Sequence, residues 1–218
     1  MVLQVAMAGT VDYAQALAWQ EALVARRLTG ASDVLLLLEH PPVYTLGRGG
    51  DARHLGAAAG GPIPVFRVGR GGEATYHEPG QLVGYPIVGL HDLGRQDLHW
   101  YLRTLEQVLI DTLADLGLAA GRVAGRTGVW IDRRRKIASI GVGLRRWVTR
   151  HGFALNVSND LGGFQAITPC GIEGVEMTSV RREGGPAAVE AVAPIVRHRF
   201  VAAFGYREWQ PLDEVGAP

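Results

Sequence analysis

The sequence predicts a single domain of α/β (α+β) class, a mixed β-sheet flanked by helices. Three observations predict it. Short apolar runs of strand length occur both in clusters and between helical stretches, the pattern of a mixed sheet with helices packed on it. Residues 97–116 and 187–204 carry sustained helical periodicity. No internal repeat and no shift in composition divides the 218 residues, a length that one large domain accommodates. With 47% hydrophobic and 20% charged residues, the chain can bury a sizeable core.

The elements follow in order. Asp12 and Gln15 read as a capping box for a helix reaching Leu28, with Leu17, Val24 and Leu28 on one stripe and Gly30 as its stop. Residues 34–38 form a continuous apolar run, ended by Pro41 and Pro42, which cannot donate to a ladder. A short strand at 43–46 enters Gly47-Arg48-Gly49-Gly50, and the Ala- and Gly-rich stretch at 55–61 reads as a flexible surface connection. A strand at 63–68 feeds a second glycine loop, Gly69-Arg70-Gly71-Gly72, and 82–88 is a further strand. The longest helix spans 97–116, with Leu98, Leu102, Leu105, Leu109, Leu113 and Leu116 at helical spacing. It reads as core structure without chemistry.

From Thr127 the pattern is β. Residues 128–132, 136–148 and 150–157 read as three strands joined by tight turns, the first turn being Arg133-Arg134-Arg135. A short helical segment at 160–165 precedes the stretch that holds Cys170. The last helix, 187–204, buries Val189, Val192, Val196 and Phe200, contains Pro194 and stops at Gly205. Residues 206–218 read as a loose tail.

Bulk properties narrow the function. A net charge of +1 gives no case for nucleic-acid or membrane-surface binding. One cysteine allows no intrachain disulfide and fits a reducing cytoplasm. Residues 1–15 lack a signal-peptide pattern, and no apolar stretch approaches the ~20 residues of a membrane span. No metal is expected: the seven histidines are scattered and no Cys-x-x-Cys occurs. The glycine loops match neither a P-loop nor a dinucleotide fingerprint. Each either brings backbone N–H groups close to a ligand or is a tight turn. Arg133, Arg134, Arg135, Arg145, Arg146 and Arg150 read as a basic cluster around one hairpin, either a solvated surface or a docking patch for an acidic partner.

Two singletons mark a candidate reaction centre. Cys170 is the only cysteine, and Lys136 is the only lysine among 22 basic residues. Arginine keeps its proton, whereas lysine can be tuned to release it. A thiol nucleophile and a titratable amine suit one another, although a lone cysteine is also a common small core residue. A Cys–His arrangement with His77 or His151 as base is left open by spacing alone.

Four ordered blocks resemble the lipoyl(octanoyl) transferase family. They are the run from Arg70-Gly71-Gly72-Glu73-Ala74-Thr75-Tyr76-His77 to Pro86, Gly128-Val129-Trp130 with Lys136-Ile137-Ala138-Ser139-Ile140-Gly141-Val142, Thr149-Arg150-His151-Gly152-Phe153-Ala154-Leu155-Asn156-Val157, and Pro169-Cys170-Gly171-Ile172. The resemblance covers the chain from about Leu17 to Phe204. It implies the fold shared by biotin and lipoate protein ligases, with 1–205 as an octanoyltransferase catalytic domain and no cofactor. The implied donor is octanoyl-acyl carrier protein. The implied acceptors are lysines of the lipoyl domains of 2-oxoacid dehydrogenases and of the glycine-cleavage H protein. Cys170 would hold the acyl group as a thioester and Lys136 would support it. Substrate contacts would come from Arg70 to His77, Ser139 to Gly141, and Gly152 to Ala154. A monomer in the cytoplasm is the default.

One residue departs from the family pattern: Glu78 stands where glycine is usual. Its side chain either points to solvent or narrows the pocket mouth. Two other readings stand beside the transferase. One is an ATP-dependent lipoate or biotin ligase with an acyl-adenylate on the loop at 69–72. The other is a non-catalytic binding module.

Overall fold

The chain opens on β1 (Val2–Thr10), α1 (Tyr13–Leu28) and β2 (Asp33–Glu39). The apolar run inside β2 lacks polar alternation because both of its faces are covered. Leu35 and Leu37 join one core, whereas Val34, Leu36 and Leu38 join another. In this computed structural model, residues 1–171, 174–212 and 215 are described, without the side chain of Cys170. The chain continues through β3 (Val43–Leu46), β4 (Val65–Arg67), β5 (Ala74–His77), β6 (Gln81–Ile87) and α2 (Leu98–Asp115). Next come β7 (Ala120–Val123), β8 (Arg126–Ile131), β9 (Arg135–Arg145) and β10 (Val148–Asn156). The last elements are β11 (Glu176–Met177), α3 (Val189–Phe204) and β12 (Glu208–Pro211).

The large sheet runs β12-β1-β2-β6-β10-β9-β8-β7, with β11 added to β9, and a small sheet runs β4-β3-β5. Parallel pairs (β1 with β2 and β12) and antiparallel pairs mix in the large sheet, as the predicted class requires. Helix α1 covers one face, and α2 and α3 cover the other with Leu105, Leu109, Leu113, Val192, Val196 and Phe200. Fully apolar strands are therefore sandwiched between helical layers. Among the described residues no helix is long and apolar enough to cross a membrane.

Several sequence expectations change. Asp12 occupies the N-cap of α1 but makes no side-chain capping bond. The buried face of α1 is Tyr13, Ala16, Gln20, Leu23 and Val24, with Leu17 and Leu28 only half-buried. Gln20 is drawn inward because its carbonyl accepts the His151 N–H at 2.8 Å. The stretch at 55–61 is not a free surface loop. A 3₁₀ segment, Ala52–Ala58, buries Leu55 and Ala58 against the small sheet.

The arginines do not form one cluster. Asp132 and Arg133 make the β8–β9 turn and Arg146 and Trp147 the β9–β10 turn, all at positive φ. These turns lie at opposite ends of the 11-residue β9, some ~35 Å apart at the usual strand rise. Arg135 pairs with Glu183 at 2.9 Å, and the guanidinium of Arg150 lies against Gly69 and Gly143.

The expected tail at 206–218 is in part a strand. Glu208–Pro211 pairs in parallel with β1 from Val2 to Val5. Tyr206 anchors it: the ring is buried and its hydroxyl donates to Asp33 Oδ2 at 2.8 Å. Asp33 also accepts the Gly89 N–H at 2.8 Å and pairs with Arg27. Tyr206→Phe should cost about 1–2 kcal/mol, since the carboxylate keeps its other partners. Urea unfolding of the variant measures the loss.

Candidate active site

Strand alternation sorts the first predicted site stretch. Arg70, Gly72, Glu73, Thr75 and His77 line a narrow cleft. Ala74 and Tyr76 do not line it; they point the other way, into the core of the small sheet. Gly71 is also off the wall, its N–H donating to Val142 O at 2.8 Å and tying the loop to β9. Ser139, Ile140 and Gly141 of β9 line the same cleft with Gly152, Phe153 and Ala154 of β10. The antiparallel register sets Gly152 opposite Gly141 and Ala154 opposite Ser139.

Four wall residues fall outside the predicted set: Tyr13, Val83, Tyr85 and His151. Val83 and Tyr85 alternate along β6 and were open to a period-two reading. Tyr13 needed the packing of α1. His151 is buried at positive φ, and neither ring nitrogen has a hydrogen-bond partner among the described residues.

The glycine loops spend their polar backbone on each other. The N–H groups of Gly47, Arg48 and Gly49 donate to the carbonyls of Glu73, Arg70 and Gly72 at 3.1, 2.9 and 3.2 Å. A Cβ on Gly47 would collide with the Gly72 carbonyl, so this contact requires glycine. Arg70 Nη2 donates to Thr45 O, Thr45 Oγ1 and Glu73 O at 2.8–2.9 Å. The loops are thus a stapled wall of the cleft.

Three buried imidazoles are held neutral. Burial, with the neighbouring His40 ring and the Arg70 guanidinium, lowers His77 to about 3. Burial, with Arg150, Arg70 and Arg48, lowers His151 to about 3. Burial lowers His40 to about 4. Gln81 Nε2 donates to Tyr76 O and Asn156 Oδ1, so Gln81 Oε1 accepts the Nδ1–H of His77 at 2.7 Å. This fixes the His77 tautomer and leaves Nε2 as its acceptor nitrogen.

Lys136 lies on β9, three residues before Ser139, and is 1% exposed. Its ammonium sits 5.2 Å from the centre of the Trp130 ring. Gly128 makes the space, since a Cβ there would lie 2.8 Å from Lys136 Cε. The Gly128 N–H donates to Glu106 Oε1 at 3.2 Å. Glu106, buried on α2, is paired with Arg103 and Arg122 at 2.6 and 2.9 Å. The helix read as chemically silent therefore braces Gly128, which packs against Lys136.

Cys170 lies in the 3₁₀ turn Pro169–Gly171. The Thr168 N–H before it donates to His54 O at 2.8 Å. A Cβ on Gly171 after it would collide with the Glu73 carboxylate, itself 2.7 Å from His54 Nδ1. The chain then pairs with β9, Met177 opposite Lys136, and the Thr178 N–H donates to Lys136 O at 2.9 Å. The expected approach of the Lys136 side chain to the Cys170 thiol lies outside the described residues.

Residues 12–202 match the model of the lipoyl protein ligase A/B catalytic domain. The chain belongs to this family. Among curated relatives, the octanoyltransferase of Geobacter sulfurreducens is 55% identical over 184 residues, 84% of this chain and 76% of that protein. The octanoyltransferase of Gloeobacter violaceus is 53% identical over 199 residues, 90% of this chain and 88% of that protein. Among solved structures, the bipartite lipoate protein ligase of Thermoplasma acidophilum superposes with a TM-score of 0.77 at 20% identity, covering 98% and 88% of the two chains. The biotin protein ligase of Aquifex aeolicus gives 0.55 at 13% identity, covering 94% and 70%. These two share the fold of this lipoyl protein ligase A/B catalytic domain.

The imidazoles of this family member set a pH dependence. All three folded values lie below the free value near 6.5, so below that pH the unfolded chain binds more protons. Stability is full above pH 6.5 and falls as pH drops towards 4. Between pH 6 and 5 each imidazole contributes up to ~1.4 kcal/mol per pH unit. Unfolding near pH 5 should take up about three protons onto these groups, measured by calorimetry in buffers of different ionisation enthalpy.

Proposed function

We propose that this chain transfers an octanoyl group from octanoyl-acyl carrier protein to a lysine of a lipoyl domain or of a glycine-cleavage H protein. The observation that carries the reading is the path of the cysteine segment. It passes the Glu73 edge of a cleft whose walls include Val83, Ile140 and Phe153, then pairs with the strand that holds Lys136. About half identity to octanoyltransferases over most of the chain supports the substrate class.

The chemistry runs in two balanced steps. The Cys170 thiolate attacks the donor thioester carbonyl; a new C–S bond forms, and the C–S bond to the carrier thiol breaks. Lys136 supplies the proton to the departing thiolate. The acceptor amine then attacks the Cys170 thioester, a C–N bond forms and the C–S bond breaks. Lys136, now neutral, takes the amine proton. Thioester to amide runs downhill, so no ATP is consumed. The cycle starts from and returns to a free thiol, which suits a reducing compartment such as the cytoplasm.

The competing readings are less well supported. An imidazole held near 3 is a weak base at neutral pH, which disfavours His77 or His151 as partner of the thiol. In the loop at 69–72, where an acyl-adenylate would sit, the Gly71 N–H is committed to Val142 O at 2.8 Å rather than to a phosphate.

Incubation with octanoyl-acyl carrier protein without ATP should give a hydroxylamine-labile adduct on Cys170, read by mass spectrometry. Transfer that requires ATP, or persists in Cys170→Ala, would overturn the reading. Lys136→Arg keeps the charge but not the base, and turnover should fall on the order of 100-fold or more, as in Lys136→Ala.

A further inference from the structure

Glu78 neither reaches solvent nor narrows the cleft: it is 8% exposed and absent from the cleft wall. Its Oε1 accepts the Leu161 N–H at 3.0 Å and the Asn159 Nδ2–H at 3.1 Å. The adjoining Gly80 carbonyl accepts the N–H groups of Val157, Ser158 and Asn159 at 3.1, 2.8 and 3.3 Å. Gly80 is at φ +86, and a Cβ there would lie 2.6 Å from Asn159 N. The β5–β6 turn thus grips residues 157–161.

From there the chain is pinned stepwise. Tyr44 Oη donates to Gly163 O at 3.0 Å. Phe164 packs edge-on against Tyr76, with ring centroids 5.7 Å apart. The Thr168 N–H is bonded to His54 O, two residues before Cys170. Asn159 Nδ2 also reaches Asn156 Oδ1 at 3.3 Å, and Asn156 Nδ2 donates to Thr178 O at 3.0 Å, beside Lys136. One buried carboxylate meets both the segment leading to Cys170 and the network leading to Lys136.

We propose that Glu78 is a positioning residue for the acyl-transfer site, fixing the turn at 159–161 and through it the placement of Cys170. This rests on Cys170 being the acyl carrier. Glu78→Gln keeps an acceptor oxygen for both N–H donors; Glu78→Ala strands the Leu161 N–H and leaves Asn159 Nδ2 with Asn156 Oδ1 alone.

The test measures single-turnover acylation by octanoyl-acyl carrier protein and the rate of iodoacetamide alkylation, which reports Cys170 alone because the chain has one cysteine. Glu78→Ala should lower the rate at saturating donor at least 10-fold with KM changed less than threefold, and should alter the pH profile of alkylation. Glu78→Gln should stay within about threefold of wild type in both. Asn159→Ala, which removes one donor, should fall between them and serves if Glu78→Ala does not fold. Wild-type acylation and alkylation in Glu78→Ala, or in Asn159→Ala where it stands in, would overturn the proposal, as would equal impairment of the Gln and Ala variants. If wild type takes no acyl group on Cys170, the proposed function fails, and the alkylation series alone decides whether Glu78 positions the Cys170 turn.

Discussion

Gln81 and Asn156 are buried side-chain amides bonded to each other across β6 and β10 at 2.9 Å. A buried amide must place its donors and acceptors or forfeit their solvation. Each therefore dictates its neighbours. Gln81 orients the His77 ring on the cleft wall, and Asn156 holds the Thr178 carbonyl. Thr178 in turn binds the backbone of Lys136. The cleft and the lysine are placed relative to one another by this relay, inside a sheet flanked by apolar cores.

Around it, the backbone is closely packed. Both glycine loops are closed on each other, and Gly80 and Gly128 stand where a Cβ would strike Asn159 or Lys136. Such contacts tolerate no side chain, which gives the glycine-rich stretches a structural role in shaping the cleft. The fold's ionic hubs do similar work at a distance. Asp33 binds β12 to the sheet through Tyr206, and Glu106 ties α2 to Gly128.

The core strands and helices were legible because their signals are local. Leucine at helical spacing in α2 and the unbroken apolar run of β2 need no partner to be read. The cleft was legible in part. Thr75 and His77 face it and Ala74 and Tyr76 do not, a division that alternation implies once β5 is known to be a strand. β5 itself was hidden in a stretch rich in polar and aromatic residues between two turns. Tyr13, on α1, enters the wall only because that helix packs against β10, where Gln20 Oε1 accepts the backbone N–H of His151.

The sequence by itself determined the mixed-sheet class, the order of most elements, the singular thiol and amine, and the family. These depend on residue type and short spacing. Tertiary structure alone decided that the arginines separate to opposite ends of β9, that residues 208–211 complete the sheet, and that Glu78 turns inward to hold residues 159 and 161. Each of these is a contact between groups distant along the chain. Its free energy comes from satisfying a buried donor or extending a ladder, and no local pattern encodes which distant group will be there.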